Sequence, residues 1–156
     1  MPQRPPMLYI VFIRPDDESN PRLDVEQSNE VPWTAPKDAQ PGDTALFYLG
    51  GAEPGICGIG RTAEEAELGE PGEWTESTWG YFAQHEKVLL LRHPITLHDI
   101  RRAFPTWKRW NNLKGTRVHI VPEDRCERLA EMVAARNSVA RRFLLPWIEG
   151  ERSKTR

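Results

Sequence analysis

The feature that most limits what this chain can become is a series of short apolar runs, each cut off by proline, glycine or charge before it reaches helical length. Leu8–Ile13 reads Leu-Tyr-Ile-Val-Phe-Ile and stops at Arg14-Pro15-Asp16-Asp17. Thr44–Leu49 lies between Pro41-Gly42-Asp43 and Gly50-Gly51, and Gly55–Arg61 follows directly. Lys87–Leu91 ends at Arg92-His93-Pro94, and Thr116–Val121 ends at Pro122. Runs this short, rich in β-branched and aromatic residues and bounded by turn formers, predict strands. The first is apolar throughout, as expected of a strand buried on both faces. The last alternates, which sends Val118 and Ile120 inward and Arg117 and His119 outward. Gly58 and Gly60 weaken a flat strand but suit one that bends or lies against another backbone, as at a barrel corner. Between Glu18 and Pro32 no period emerges, and 64–77 reads as an acidic loop.

Two helices stand out against this background. Thr96 and Asp99 have the spacing of a capping box, Leu97, Ile100 and Phe104 share a face, and Pro105 stops the turn. Pro122-Glu123-Asp124 opens the second with acids at the positive end of its dipole, and Cys126, Leu129, Ala130 and Val133 form its buried stripe up to Arg136-Asn137. Val139–Ile148 is apolar enough to pack back on the body, with a break at Pro146. The expected class is α+β: a small twisted β-barrel of five to six strands flanked by two or three helices. A chain of 156 residues supports one core of this kind. The expected organisation is one domain over 1–149 and a tail over 150–156.

Several function classes lose their support. No apolar run approaches the roughly 20 residues of a membrane helix, and Met1-Pro2-Gln3-Arg4-Pro5-Pro6 lacks the apolar stretch of a secretory signal, so a cytoplasmic protein with no membrane partner is expected. Cys57 and Cys126 both sit in apolar surroundings, where two thiols are favoured over a disulfide. A Walker loop, a dinucleotide fingerprint, a Cys-x-x-Cys pair and a nucleophile elbow are all missing. Gly55-x-x-Gly58-x-Gly60 runs into Arg61-Thr62 rather than a helix, which makes its glycines structural. His85, His93, His98 and His119 have no zinc-ligand spacing. The expectation is therefore a protein without cofactor, metal or catalytic residues.

Charge is distributed unevenly beneath a net value of −2. Between Glu53 and Glu76, the acids Glu64, Glu65, Glu67, Glu70 and Glu73 face only Arg61, whereas the segment 101–117 carries Arg101, Arg102, Lys108, Arg109, Lys114 and Arg117 and no acid. The basic segment, joined by His119, is the expected phosphate-binding face. The six tryptophans sharpen this: Trp33, Trp74, Trp79, Trp107 and Trp110 fall in loops or at strand edges, and only Trp147 lies in the C-terminal apolar stretch. Such rings either cap the ends of a core or stack a base. Trp107-Lys108-Arg109-Trp110 interleaves rings with cations, a pairing that suits a base and its phosphate together.

The motifs Val31-Pro32-Trp33-Thr34-Ala35-Pro36, Gly42-Asp43-Thr44-Ala45-Leu46-Phe47-Tyr48 and Gly55-Ile56-Cys57-Gly58-Ile59-Gly60-Arg61, in this order, resemble the EVE domain, a relative of the YTH and ASCH domains in the PUA-like superfamily. Trp79, the strand through Leu91, His93-Pro94-Ile95-Thr96-Leu97, Phe104-Pro105-Thr106-Trp107 and Val121-Pro122 extend the likeness from about Tyr9 to Val133. It is greatest to the branch joined, in longer proteins, to nucleases of modification-dependent restriction systems. The resemblance implies a closed barrel that binds nucleic acid without catalysis and accepts a flipped base, methylated or hydroxymethylated, in an aromatic cage. Trp33 matches the tryptophan that opens the family's pocket, and Trp79 the one before the later strand. With Thr34, Tyr81, Trp107 and Trp110 they make up the expected base-binding set. The expected partner is nucleic acid, DNA favoured over RNA, read at a 5-methylcytosine type of base. The chain carries no nuclease segment, so cleavage would need a partner; the expected candidates for a separate partner are a nuclease or a methyltransferase. Two other readings stay open: an RNA-binding adaptor for a modified or unstacked base, and a small ASCH-like hydrolase of modified nucleosides using Lys37, Asp43 and Glu86.

Overall fold

The computed structural model describes residues 4–13, 31–51, 53–68, 81–111, 113 and 117–148. Trp74, Trp79, Lys114, Thr116 and the tail expected over 150–156 lie outside the described residues. Seven strands form one curled sheet: β1 (Leu8–Ile13), β2 (Val31–Thr34), β3 (Thr44–Leu49), β4 (Gly55–Thr62), the two-residue β5 (Glu67–Leu68), β6 (Tyr81–Thr96) and β7 (Val118–Ile120). Their order is β2-β6-β4-β3-β1-β7, with β5 also paired to β6. All ladders are antiparallel except β1 with β3, which run parallel in the register Leu8↔Thr44 to Ile13↔Leu49. Helices α1 (Leu97–Ala103), α2 (Glu123–Arg136) and the short α3 (Arg141–Leu144) complete the chain, together with three 3₁₀ turns. This is the expected α+β, PUA-like barrel in curled form; among the described residues no ladder joins β2 to β7 to close the ring.

The apolar first strand has the predicted cause. Leu8 and Ile10 pack in the main core beneath the helices, while Tyr9, Val11 and Ile13 pack in a second cluster on the other face. The sheet thus has no wet face at β1. The main core joins Leu46, Ile56, Ile59 and Ile95 to Leu129, Val133, Phe143 and Leu144. Cys126, Leu129, Ala130 and Val133 are the buried residues of α2, as its period predicts. The second cluster adds Ala45, Phe47, Ala83 and Val88. Inside it the Tyr9 hydroxyl lies 2.7 Å from both Thr62 Oγ1 and His85 Nε2. Burial pushes the Tyr9 phenol well above its ordinary value, so it stays protonated and bonds as a neutral group.

The Gly42-Asp43 pair is a pin rather than a reactive site. Gly42 takes φ +97°, and the buried Asp43 carboxylate accepts two bonds from the Arg4 guanidinium, at 3.0 and 2.6 Å, plus the amides of Met7 and Gln40. Gly55 answers to close approach: a Cβ there would stand 2.5 Å from the Ile95 carbonyl oxygen.

Strand β6 is far longer than the predicted Lys87–Leu91. Its period is broken twice, which is what hides it in the sequence. Ile59 faces Leu89 but Arg61 faces Glu86, so β6 carries one extra residue, and Lys87 there adopts φ +54°. Before this bulge Ala83 belongs to the inner cluster and His85 reaches its Tyr9, and after it Val88 and Leu90 pack there. A second shift between Ile56 and Gly58 leaves Pro94 in a stretch without ladder partners, where a residue lacking an N–H costs nothing. The Asn137 side chain replaces the missing strand by accepting from the His93 amide and donating to the His93 carbonyl, each at 2.9 Å.

Candidate nucleic-acid interface

Strand β2 was not read as a strand in the sequence, yet it positions the first group of candidate residues. Trp33 pairs with Ala83 and Thr34 with Phe82, and the Ala35 amide donates to the Tyr81 carbonyl at 2.9 Å. The register therefore brings Trp33, Thr34 and the start of β6 at Tyr81 to one end of the sheet. Thr34 is only 6% exposed, and its hydroxyl has no hydrogen-bond partner among the described residues. A buried hydroxyl left unpaired costs about 1–3 kcal/mol, a cost a ligand removes when it bonds there. Tyr81 is half-buried.

Trp107 and Trp110 stand elsewhere, and the expectation that they stack a base is corrected. Trp110 is 0% exposed and Trp107 5% exposed, both in the main core. Trp110 packs against Phe12 and Tyr48 at 5.7 and 5.5 Å between ring centroids, and Trp107 meets Trp110 and Phe104 edge-on at 5.3 and 5.1 Å. Neither indole presents a free face. They are the lid of the core under α1 and the 3₁₀ turn Lys108–Asn111.

The cations around that lid divide into two kinds. Arg101 is partly structural: its Nε and Nη2 donate to the Trp110 carbonyl at 3.1 and 2.7 Å. Arg102 and Lys108 are exposed, while Arg109 and Arg117 are half-buried. Two further cations were missed in the sequence: Arg125 and Arg128 sit over the Trp107 and Phe104 rings at 5.5 and 5.6 Å. Their spacing of one helical turn on α2, beside the stripe Cys126-Leu129, is the signal that could have found them.

His119 also departs from expectation. It is opposite Ile10 in the β1–β7 ladder, whose side chain lies in the main core, and its ring stands 5.8 Å from Trp107. Ile120, predicted inward, is 50% exposed. The sheet is covered on both faces, so alternation alone could not tell which side of this edge strand is wet. Burial pushes the His119 imidazole below its ordinary value, and the positive charges of Arg109 and Arg125 push in the same direction.

The opposite charge lies away from that lid but beside the β2–β6 end: Glu64, Glu65 and Glu67 are exposed around β5, where Glu67 pairs with Phe82 and Glu64 accepts from the Gln84 amide. Lys37, the candidate for hydrolase chemistry, lines an open cavity of about 310 Å³ with Arg4, Asp38, Gln40 and Glu65. Asp43 is saturated by its bonds to Arg4, Met7 and Gln40, and Glu86 faces Arg61 across the β4–β6 ladder. Among the described residues no three His, Cys, Asp or Glu side chains converge as metal ligands, and no helix is long and apolar enough to cross a membrane.

No protein-family model and no curated protein matches the chain. Solved structures match its fold. Human THYN1 protein in complex with 5-methylcytosine containing DNA superposes with a TM-score of 0.57 at 14% identity, over 81% of this chain and 97% of that one. The DUF55 domain of human thymocyte nuclear protein 1 gives 0.58 at 14% identity, over 81% and 98%. A protein from Pseudomonas syringae gives 0.61 at 19% identity, over 83% and 99%. Likeness at these identities establishes the fold, and the resemblance read from the motifs holds at that level: the architecture is PUA-like and shared with the DUF55 domain.

Proposed function

We propose, from this shared fold, that the chain is a non-catalytic nucleic-acid-binding module that recognises a modified base, of the 5-methylcytosine type in DNA, flipped into a pocket at the β2–β6 end of the sheet. The observation that carries the reading is the Thr34 hydroxyl, buried and without a partner among the described residues, at the end of the sheet where β2 pairs with the start of β6. A buried polar atom left without a partner suits a ligand that offers it a hydrogen-bonding edge, as a flipped base does. The fold shared with a protein solved with 5-methylcytosine DNA supports the same ligand class.

In this reading Trp33, Thr34, Trp79 and Tyr81 hold the base. Arg102, Lys108, Arg109 and Arg117 meet phosphates, and Arg101 contributes charge from its place on Trp110. Any cleavage belongs to a separate partner. Stacking one base on an indole contributes about 1–3 kcal/mol, and a buried methyl about 0.8 kcal/mol. The module should therefore bind moderately and prefer the methylated base only about fourfold.

The test is a titration with matched duplexes carrying cytosine, 5-methylcytosine, 5-hydroxymethylcytosine or N6-methyladenine, with single-stranded RNA of the same sequence as competitor. The expected result is tightest binding to a modified cytosine, with Trp33→Ala losing roughly 5- to 150-fold. Equal, weak binding to all four duplexes, unaltered by Trp33→Ala, removes the reading. Displacement by RNA at lower concentration moves the substrate from DNA to RNA.

A further inference from the structure

The cluster around Trp107 contains a group that core packing does not explain. His119 Nε2 is buried and, whether it carries the proton or the lone pair, has no hydrogen-bond partner among the described residues. Its ring lies against Trp107, and the Arg125 guanidinium sits over the same indole, 5.5 Å from its centroid. Three elements meet here: β7, the 3₁₀ turn with Arg109, and the first turn of α2 with Arg125.

The charges facing His119 are mostly of one sign. Arg109 and Arg125 both act on it, and Arg117 lies two residues before it. From β1 it faces Ile10, which is uncharged, and Arg101 is bonded to the Trp110 carbonyl. The acids nearest along the chain, Glu123 and Asp124, are exposed in the first turn of α2, and Asp124 reaches Arg125 only at 3.6 Å. Two guanidiniums beside a half-buried imidazole repel its proton and attract an anion. One phosphate would meet both conditions.

We infer that Arg109, Arg125 and His119 form a seat for one backbone phosphate, and that filling it draws a proton from solvent onto His119. In the free protein the imidazole is neutral. The phosphate's negative charge reverses the local potential, the proton settles on Nε2, and the N–H donates to a phosphate oxygen. The inference rests on the nucleic-acid reading and adds to it a pH dependence and Arg125, a residue outside the basic segment 101–117.

The sign follows from linkage: His119 has a higher pKa in the complex than in the free protein. Affinity therefore grows as pH falls through the bound-state value and levels off below the free-state value. Binding of a 5-methylcytosine duplex by the whole chain, followed by fluorescence anisotropy at constant ionic strength from about pH 8 to about pH 5.5, reads this out. The expected gain approaches about tenfold per pH unit within that window, the signature of one proton. His119→Gln should flatten the profile. Arg125→Gln should weaken binding at every pH and lower the salt slope by about one. In the NMR spectrum of the wild type near neutral pH, the His119 ring signals should move toward the protonated position on adding the duplex. That measurement decides the matter even if His119→Gln unfolds. Tight binding with the same pH profile in wild type and His119→Gln, or an unmoved His119 signal, overturns the proton link and leaves the nucleic-acid reading standing. Failure to bind any nucleic acid at any pH overturns both.

Discussion

Asp99 joins two helices through one carboxylate. Its Oδ2 accepts from the Thr96 amide at 3.1 Å, which closes the capping box of α1, and from Arg136 Nη1 at the end of α2 at 2.6 Å. The Arg136 bond, followed by the Thr96 bonds, holds the carboxyl down to about 2 against an ordinary value of 3.8. A carboxylate whose folded pKa is depressed stabilises the fold above the unfolded value, and that contribution is lost as pH falls from about 4 toward about 2. The wild type should therefore lose more of its thermal midpoint across that window than Asp99→Asn, as followed by circular dichroism. Both partners are open to water, so the difference should be modest and should shrink in high salt. The capping box was legible because its logic is local: two residues three apart settle it. Trp107, Trp110 and His119 were not legible in the same way. Phe12 and Tyr48, which cover Trp110, come from β1 and β3, far earlier in the chain, so nothing near Trp110 announces that it is enclosed.

At the scale of elements, β6 shows why a strand can be half visible. Lys87–Leu91 reads plainly, but Tyr81–Glu86 mixes polar and apolar residues, the period reverses at the Lys87 bulge, and His93-Pro94 reads as a stop. The strand continues because a tertiary partner supplies what the sheet cannot: Asn137, just past the end of α2, bonds both backbone groups of His93. Asn137→Ala should cost about 1–2 kcal/mol in urea unfolding, the loss of two half-exposed backbone bonds. Asn137→Asp, which keeps the acceptor for the His93 amide but loses the donor, should fall between. An Asn137→Ala variant as stable as the wild type would mean that water serves His93 equally well, and that the strand's length has another cause. The helix α2, by contrast, was legible almost to its ends, since its buried stripe and its acidic start are both periodic or local features.

For the molecule as a whole, the parallel pairing of β1 with β3 could not be read from either strand, yet it determines which loops share an end of the sheet and so where charge collects. Exposed acids gather at Glu64, Glu65 and Glu67 beside β5, while Arg102, Lys108, Arg109, Arg117 and Arg125 belong to α1, the 3₁₀ turn, the approach to β7 and α2. A net charge of −2 does not prevent such a chain from binding a polyanion, because each phosphate contact is local and releases its own counterion. The logarithm of the affinity for DNA should fall linearly with the logarithm of salt concentration, by about 0.9 for each phosphate engaged. Arg102→Ala and Lys108→Ala should each lower that slope by about one without moving the thermal midpoint. Arg101→Ala should lower the midpoint as well, since its guanidinium holds the Trp110 carbonyl. Replacing Glu64 and Glu65 together by lysine changes the net charge by four beside the proposed base pocket, since Glu64 accepts from the Gln84 amide of β6, and should steepen the slope. If the double substitution leaves the slope where it was, the duplex does not reach the β5 side of the sheet, and the placing of the base pocket at the β2–β6 end is wrong.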